Sequence, residues 1–129
     1  MLTGVAPTAT LEIDLANARS TRGVMRVCLT ADPANFPSCD DDGAAVRRNV
    51  PAGTTRLSIP GLSPRQYAVS VIHDENGNGR LDTFAGIPRE GFGFSRNPAI
   101  AFGPPGFDAA RFPVASGAET QQVRLRYLL

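Results

Sequence analysis

The 129-residue chain has no lysine, no tryptophan, one histidine and two cysteines. With one His, every two-His metal motif is excluded, and two Cys plus one His cannot supply the four nitrogen or sulfur ligands of a structural zinc site. A surplus of charge is also missing: 13 Arg against 12 acidic residues leave a formal +1. That excludes the basic clusters recruited by nucleic acids or anionic membranes. The absence of Lys beside so many Arg reads as compositional bias without chemical consequence. No apolar run approaches the roughly 18 residues of a membrane helix, so no membrane insertion is expected. Catalytic signatures are lacking too. Gly93-Phe94-Ser95-Arg96-Asn97 has no second Gly for a nucleophile elbow. Gly77-Asn78-Gly79 does not extend to a phosphate-binding pattern, because residue 82 is Asp.

What is present is turn chemistry and alternation. The chain holds 13 Gly and 11 Pro, about 19% of residues against an average near 12%. In the windows that escape them, apolar residues recur with period two: Leu11, Ile13 and Leu15; Tyr67, Val69 and Val71; Val123, Leu125 and Tyr127. Met25, Val27 and Leu29 repeat the pattern, as do Leu57 and Ile59 before the turn signal Pro60-Gly61. Ala45–Val50, Gly91–Ser95 and Ala109–Val114 are weaker strand candidates. Period two marks half-buried strands, and no segment is long enough for a βαβ unit. The expected fold is all-β, a single antiparallel β-sandwich of about seven to eight strands. Residues 1–8, with neither a basic n-region nor an apolar h-region, read as a flexible lead-in, and 9–129 as one sandwich domain.

With Met25, Val27 and Leu29 facing the core, Cys28 faces outward, where a loop residue such as Cys39 can meet it. A Cys28–Cys39 disulfide would contribute about 3 kcal/mol and imply an oxidising compartment. The other reading is two unrelated thiols.

The most informative segment runs from His73 to Asp82. Oxygen side chains fall at Asp74, Asn76 and Asn78, followed by Gly79. This is the front half of the calcium-loop pattern D-x-[DN]-x-[DN]-G. Calcium takes six to eight oxygens, and alternate residues of a tight loop can converge on one ion. The Arg80 carbonyl and Asp82 are further candidate ligands. The closing acid of an EF-hand would fall at Ala85, and the flanks are not helices, so an EF-hand is excluded; Glu90 is the nearest acid that could close the site. With Asn at two positions the site carries little charge, which suits weak binding of Ca²⁺ outside the cytoplasm. The competing reading is a metal-free turn, since Asn76-Gly77 and Asn78-Gly79 are turn dipeptides and Asp74 can cap its own turn. His73 continues the inward phase of β-alternation and is expected as a hydrogen-bonded core residue.

Six of the seven Phe lie between positions 84 and 112, interleaved with Gly and Pro. Their rings either line a groove for a peptide, glycan or apolar ligand, with Phe92, Phe94 and Phe107 as contacts, or fold over to plug one end of the sandwich. A carboxylate pair such as Asp74/Glu90 or Asp82/Glu90 could do acid–base work, which defines a hydrolase alternative.

The run "YAVSVIHDENGNGRLDTFAGIPREGFGFS" from Tyr67 resembles the signature of a bacterial family known as domain of unknown function 2141. Asn97, the "FGPPGFDAARFPV" stretch and the closing alternating strand extend the similarity across most of the chain. The "GLSPRQYAVSV" segment is also similar to the strand entry of carboxypeptidase regulatory-like domains, with Ser63 and Arg65 where Pro and Gly are usual. The resemblance implies a small exported protein with a transthyretin-like or immunoglobulin-like sandwich, periplasmic or extracellular. The reading that follows is a monomeric, non-catalytic module with a structural Ca²⁺ loop at Asp74–Asp82 and a protein, peptide or glycan partner. The alternatives are the Phe-groove binder and the carboxylate-dependent hydrolase.

Overall fold

Alternation decides the architecture. Leu11, Ile13 and Leu15 are buried while Glu12 and Asp14 stand between them, and this makes β1 (Ala9–Ala16) a strand with one face in the core. β2 (Val24–Thr30) and β5 (Arg65–Asp74) are buried on both faces, β4 (Arg56–Leu62) buries Ile59 and Leu62, and the edge strand β3 (Val46–Pro51) packs Val46 and Val50 against the core. Two-residue strands β6 (Thr83–Phe84) and β7 (Ile87–Pro88) pair with each other. They are followed by β8 (Gly91–Phe94), a single helical turn α1 (Phe107–Ala110), β9 (Phe112–Val114) and β10 (Gly117–Arg124). The computed structural model describes residues 7–39, 42–79, 83–84, 87–100 and 103–129. Most of the lead-in expected at residues 1–8 therefore lies outside the described residues.

Two sheets pack face to face. The smaller has the order β10-β1-β4, the larger β3-β2-β5-β8, with β9 also paired to β5. Between them lie Leu11, Ile13, Met25, Leu29, Ile59, Val69, Val71, Phe112, Val123 and Leu125, all essentially inaccessible to water. The all-β sandwich expected from alternation is the observed fold. One pairing departs from an antiparallel scheme: β1 and β10 run parallel, from Ala9↔Gly117 to Ala16↔Arg124. Past β10 the chain changes sheets, because Phe92 and Arg126 exchange backbone hydrogen bonds (3.0 and 2.8 Å).

Three local expectations are corrected. Pro60-Gly61 is not a turn but a bulge inside β4, where the register to β1 shifts between Leu62↔Ala9 and Ile59↔Leu11. Gly61 takes φ +74°, and β4 is an edge strand, where Pro costs no ladder bond. The Ala109–Val114 candidate is shorter as a strand, because Phe107–Ala110 coils before β9 begins. Tyr127 lies beyond the end of β10, although Leu125 keeps the inward phase.

Cys28 and Cys39 form a disulfide. It ties the loop after β2, which includes a 3₁₀ turn at Pro33–Asn35, against the outer face of the larger sheet.

Candidate functional site

β5 carries its alternation to the rim of the sandwich and there delivers three consecutive polar residues, His73, Asp74 and Glu75. Each is held differently.

His73 keeps the inward phase and is fully buried. Its Nε2 lies 2.8 Å from the Arg22 carbonyl and its Nδ1 2.7 Å from the Tyr127 hydroxyl. A carbonyl only accepts, so in the neutral ring Nε2–H donates to Arg22 and Nδ1 accepts from Tyr127. The Tyr127 oxygen in turn accepts from the Arg19 backbone N–H (3.1 Å), and burial raises the phenol's pKa. Both ring nitrogens are thereby used within the fold, as expected for a core histidine.

Asp74 has the outward phase yet is only 1% exposed. Its Oδ2 accepts from the Gly79 N–H (2.8 Å), and its carbonyl from the Gly77 N–H (3.3 Å). Asn76 Oδ1 accepts from the Asn78 N–H (3.2 Å). Gly77 and Gly79 both take positive φ (+67° and +75°), which the tight turn requires and which L side chains resist. Asp74 therefore caps its own turn through one oxygen. The other, Oδ1, is buried and makes no hydrogen bond among the described residues, while Arg26 Nη1 stands 3.7 Å from Oδ2.

Of the six expected metal ligands, Asp74, Asn76 and Asn78 share this turn. Glu90 is buried in the turn before β8. Arg80 and Asp82 lie outside the described residues. Among the described residues, no three His, Cys, Asp or Glu side chains are grouped as a metal would need.

Glu75 is the residue that sequence reasoning missed. Its Oε1 accepts from Arg19 Nε and Nη2 (2.9 and 2.6 Å), and its Oε2 from Ser20 Oγ and Arg22 Nη2 (2.7 and 3.1 Å). These charge-assisted bonds, from Arg19 above all, hold its carboxyl at about 2 rather than the ordinary 4.5. The Arg19 guanidinium also lies 4.5 Å over the Tyr127 ring and donates to the Arg89 and Leu129 carbonyls. One glutamate thus gathers the β1–β2 loop and the segment after β10 around the end of β5. Its partners are more than fifty residues away in sequence, so no local pattern announces them.

The Phe candidates settle on the outer face of the larger sheet rather than at one end. Phe92, Phe94 and Phe107 are 8–9% exposed and form a second cluster with Ala68 and Ala110, packed by Phe36 and Ile100. Ring centroids lie 5.8 Å apart for Phe36–Phe94, 6.2 Å for Phe36–Phe107 and 6.0 Å for Phe92–Phe94. Ser95 anchors the fold-over, donating to the Ala110 carbonyl (2.6 Å) and accepting from the Val69 N–H (2.9 Å). Asn97 binds the β10 backbone in both directions, accepting from the Arg124 N–H and donating to the Gln122 carbonyl. Phe112 belongs to the core between the sheets, and Phe102 lies outside the described residues.

A family model for uncharacterised proteins conserved in bacteria, DUF2141, matches residues 13–122. That span runs from β1 into β10 and includes the turn, the arginine-bound glutamate and the Phe cluster. No match was found among curated proteins or among solved structures.

Proposed function

The chain belongs to the DUF2141 family of bacterial proteins, and on that premise we propose that it is an exported, non-catalytic β-sandwich module whose Asp74–Asp82 turn binds calcium in a structural role. One observation carries the reading: a carboxylate 1% exposed, with one oxygen fixed by Gly79 and the other making no hydrogen bond among the described residues. A buried, unsatisfied oxygen of this kind costs about 1–3 kcal/mol, or more when charged. A hard cation with oxygen ligands removes that cost. Asp74, Asn76 and Asn78 supply side-chain oxygens, the Arg80 backbone a carbonyl, and Asp82 and Glu90 further carboxylates. With few formal charges among these donors the affinity is weak, which matches a compartment where calcium is abundant. The Cys28–Cys39 disulfide supports the same oxidising surroundings. Support for a non-catalytic role comes from Glu75, whose carboxylate oxygens are taken up by arginines and a serine.

The test is thermal unfolding of metal-stripped protein titrated with CaCl₂, with MgCl₂ at matched ionic strength. At a hundred times its dissociation constant, native-state binding adds about 2.7 kcal/mol, a shift of several degrees. Asp74→Asn and Asp82→Asn are expected to lose the shift, the second leaving the Gly79 cap intact. No shift at about ten millimolar Ca²⁺, beyond the weakest sites of extracellular modules, would leave the segment a simple turn.

A further inference from the structure

The outer face of the larger sheet carries a second polar feature, which meets the calcium turn only where Arg26 stands 3.7 Å from Asp74. Strand register places it: Cys28 is opposite both Arg47 and Ser70, and Arg26 is opposite both Asn49 and Ile72. Residues in this relation point to the same side of a sheet. Met25, Val27 and Leu29 occupy the core side, so Arg26, Arg47, Asn49 and Ser70 project outward together. The disulfide loop roofs them. Ser70 Oγ donates to the Pro37 carbonyl (2.7 Å), and Arg47 Nη2 donates to the Cys39 carbonyl. Between strands and roof is a pocket of about 140 Å³, lined by these residues with Cys28 and Ser38.

Its chemistry is one-sided. Among the described residues no carboxylate lines the pocket, while two guanidinium groups do. Asp74 Oδ2 lies 3.7 Å from Arg26 Nη1 and also accepts from Gly79, and Asp42 accepts from Thr30 Oγ1 and the Ala44 N–H with the Arg47 charge nearby, but neither aspartate is among the lining residues. Arg26 Nη1 is buried and makes no hydrogen bond among the described residues. Guanidinium forks match the paired oxygens of carboxylate and phosphate, and two of them diagonal to each other repel unless an anion lies between. The volume falls well below the roughly 300–1,000 Å³ of drug-sized ligand sites.

We propose that this pocket binds a small, doubly charged oxyanion, with Arg26 and Arg47 as its cationic partners and the Cys28–Cys39 loop as its lid. Because the lid is held by the disulfide, an added dithiol, itself oxidised to a disulfide as it passes two electrons and two protons to Cys28 and Cys39, opens the pocket and releases the anion.

The experiment is calorimetric titration of oxidised, resin-stripped protein at low ionic strength with sodium phosphate, sulfate or succinate, alongside amide chemical-shift mapping. Phosphate and sulfate report a tetrahedral ligand, succinate a dicarboxylate. At least one is expected to bind saturably, one per chain, shifting the amides of residues 26–28, 37–39, 47–49 and 70. Removing one charged hydrogen-bonding partner is expected to weaken binding about tenfold or more in Arg26→Gln and Arg47→Gln. Arg48→Gln, on the other face of β3, is expected to stay within about twofold, as a remote exposed charge should. Arg26 also stands beside Asp74, so Arg47→Gln, whose side chain is exposed, carries the decision if Arg26→Gln melts early. Reduced protein is expected to bind at least as weakly as Arg47→Gln. Failure of all three anions at about 20 mM, where even sites weaker than millimolar half-fill, would overturn the proposal. So would equal losses in Arg47→Gln and Arg48→Gln, or undiminished binding after reduction. The outcomes for Arg47→Gln, Arg48→Gln and the reduced protein do not depend on calcium binding at the Asp74 turn.

Discussion

Along β5, Tyr67, Val69 and Val71 face a second sheet, whereas Ala68, Ser70 and Asp74 face loops, and the two coverings are built on different principles. The inner face is closed mainly by aliphatic side chains in alternating register, with Tyr67 donating to the Ser63 carbonyl and His73 bonded at the rim. Among the described residues the outer face is closed by an aromatic cluster, a disulfide-tied loop whose Phe36 packs onto that cluster, and a glycine-rich turn. Each piece needs its own tether, from Ser95 to the Ala110 carbonyl, from Ser70 to the Pro37 carbonyl and from Asp74 to the Gly79 amide. A sheet brings its own backbone hydrogen bonds to the interface. A loop does not, so specific side chains must hold it down.

The largest difference is expected in the aromatic residues. Phe112→Ala, in the core between the sheets, should cost about 3–5 kcal/mol. That is a large part of the 5–15 kcal/mol that typically separates native from unfolded protein. Phe94→Ala, in the smaller outer cluster, should cost about half as much, because a cluster under a loop can collapse into the gap. Urea unfolding measures both, and equal losses would make the two faces energetically equivalent.

Next in size is the disulfide. Replacing Cys28 and Cys39 together by Ala frees a loop spanning 11 residues and should cost about 3 kcal/mol on the chain-entropy account. The signature is spatial. Amide exchange should quicken in residues 31–39 and in β3 well before it does at Leu11 or Ile13, and uniform quickening would argue that the outer cover is part of the same cooperative unit.

The smallest effect concerns the rim. Glu75 is held at about 2 in the folded state by Arg19 and Ser20, so its contribution is fully present above its ordinary value of 4.5 and declines as pH falls toward 2. Glu75→Gln should lower the melting temperature at neutral pH by a few degrees and flatten the acid limb between pH 4.5 and 2. Curves of identical shape for the two proteins would show that the arginine clasp does not stabilise the rim.

The inner face was legible because burial against another sheet writes period two into the chain. Leu11–Leu15, Met25–Leu29, Tyr67–Val71 and Val123–Leu125 all carry that mark, and all are core. The pairing direction of β1 and β10 was not legible, since alternation is the same for parallel and antiparallel neighbours. Nor was the Pro60-Gly61 bulge, whose dipeptide is locally indistinguishable from a turn. At the rim, Asp74, Asn76, Asn78 and Gly79 stood out because a tight loop has local chemistry. Glu75 did not, because its meaning lies wholly in Arg19, Ser20 and Arg22 on a distant loop. The pairing of Cys28 with Cys39 could be anticipated, but not the arginine-lined space beneath the loop it fastens.

The parallel pairing of β1 with β10 has a consequence for how the protein is made. β1 leaves the ribosome ahead of β4 and can pair with it as soon as β4 follows. Its other edge waits for a strand more than a hundred residues downstream. Until Gly117–Arg124 has emerged, the smaller sheet has only two strands, and Leu11 and Ile13 lack Val123 and Leu125 as neighbours in the core. Pairings this distant in sequence form slowly. The smaller sheet therefore closes only after β2 to β9 are all available, and the order of synthesis leaves its β10 edge open until then.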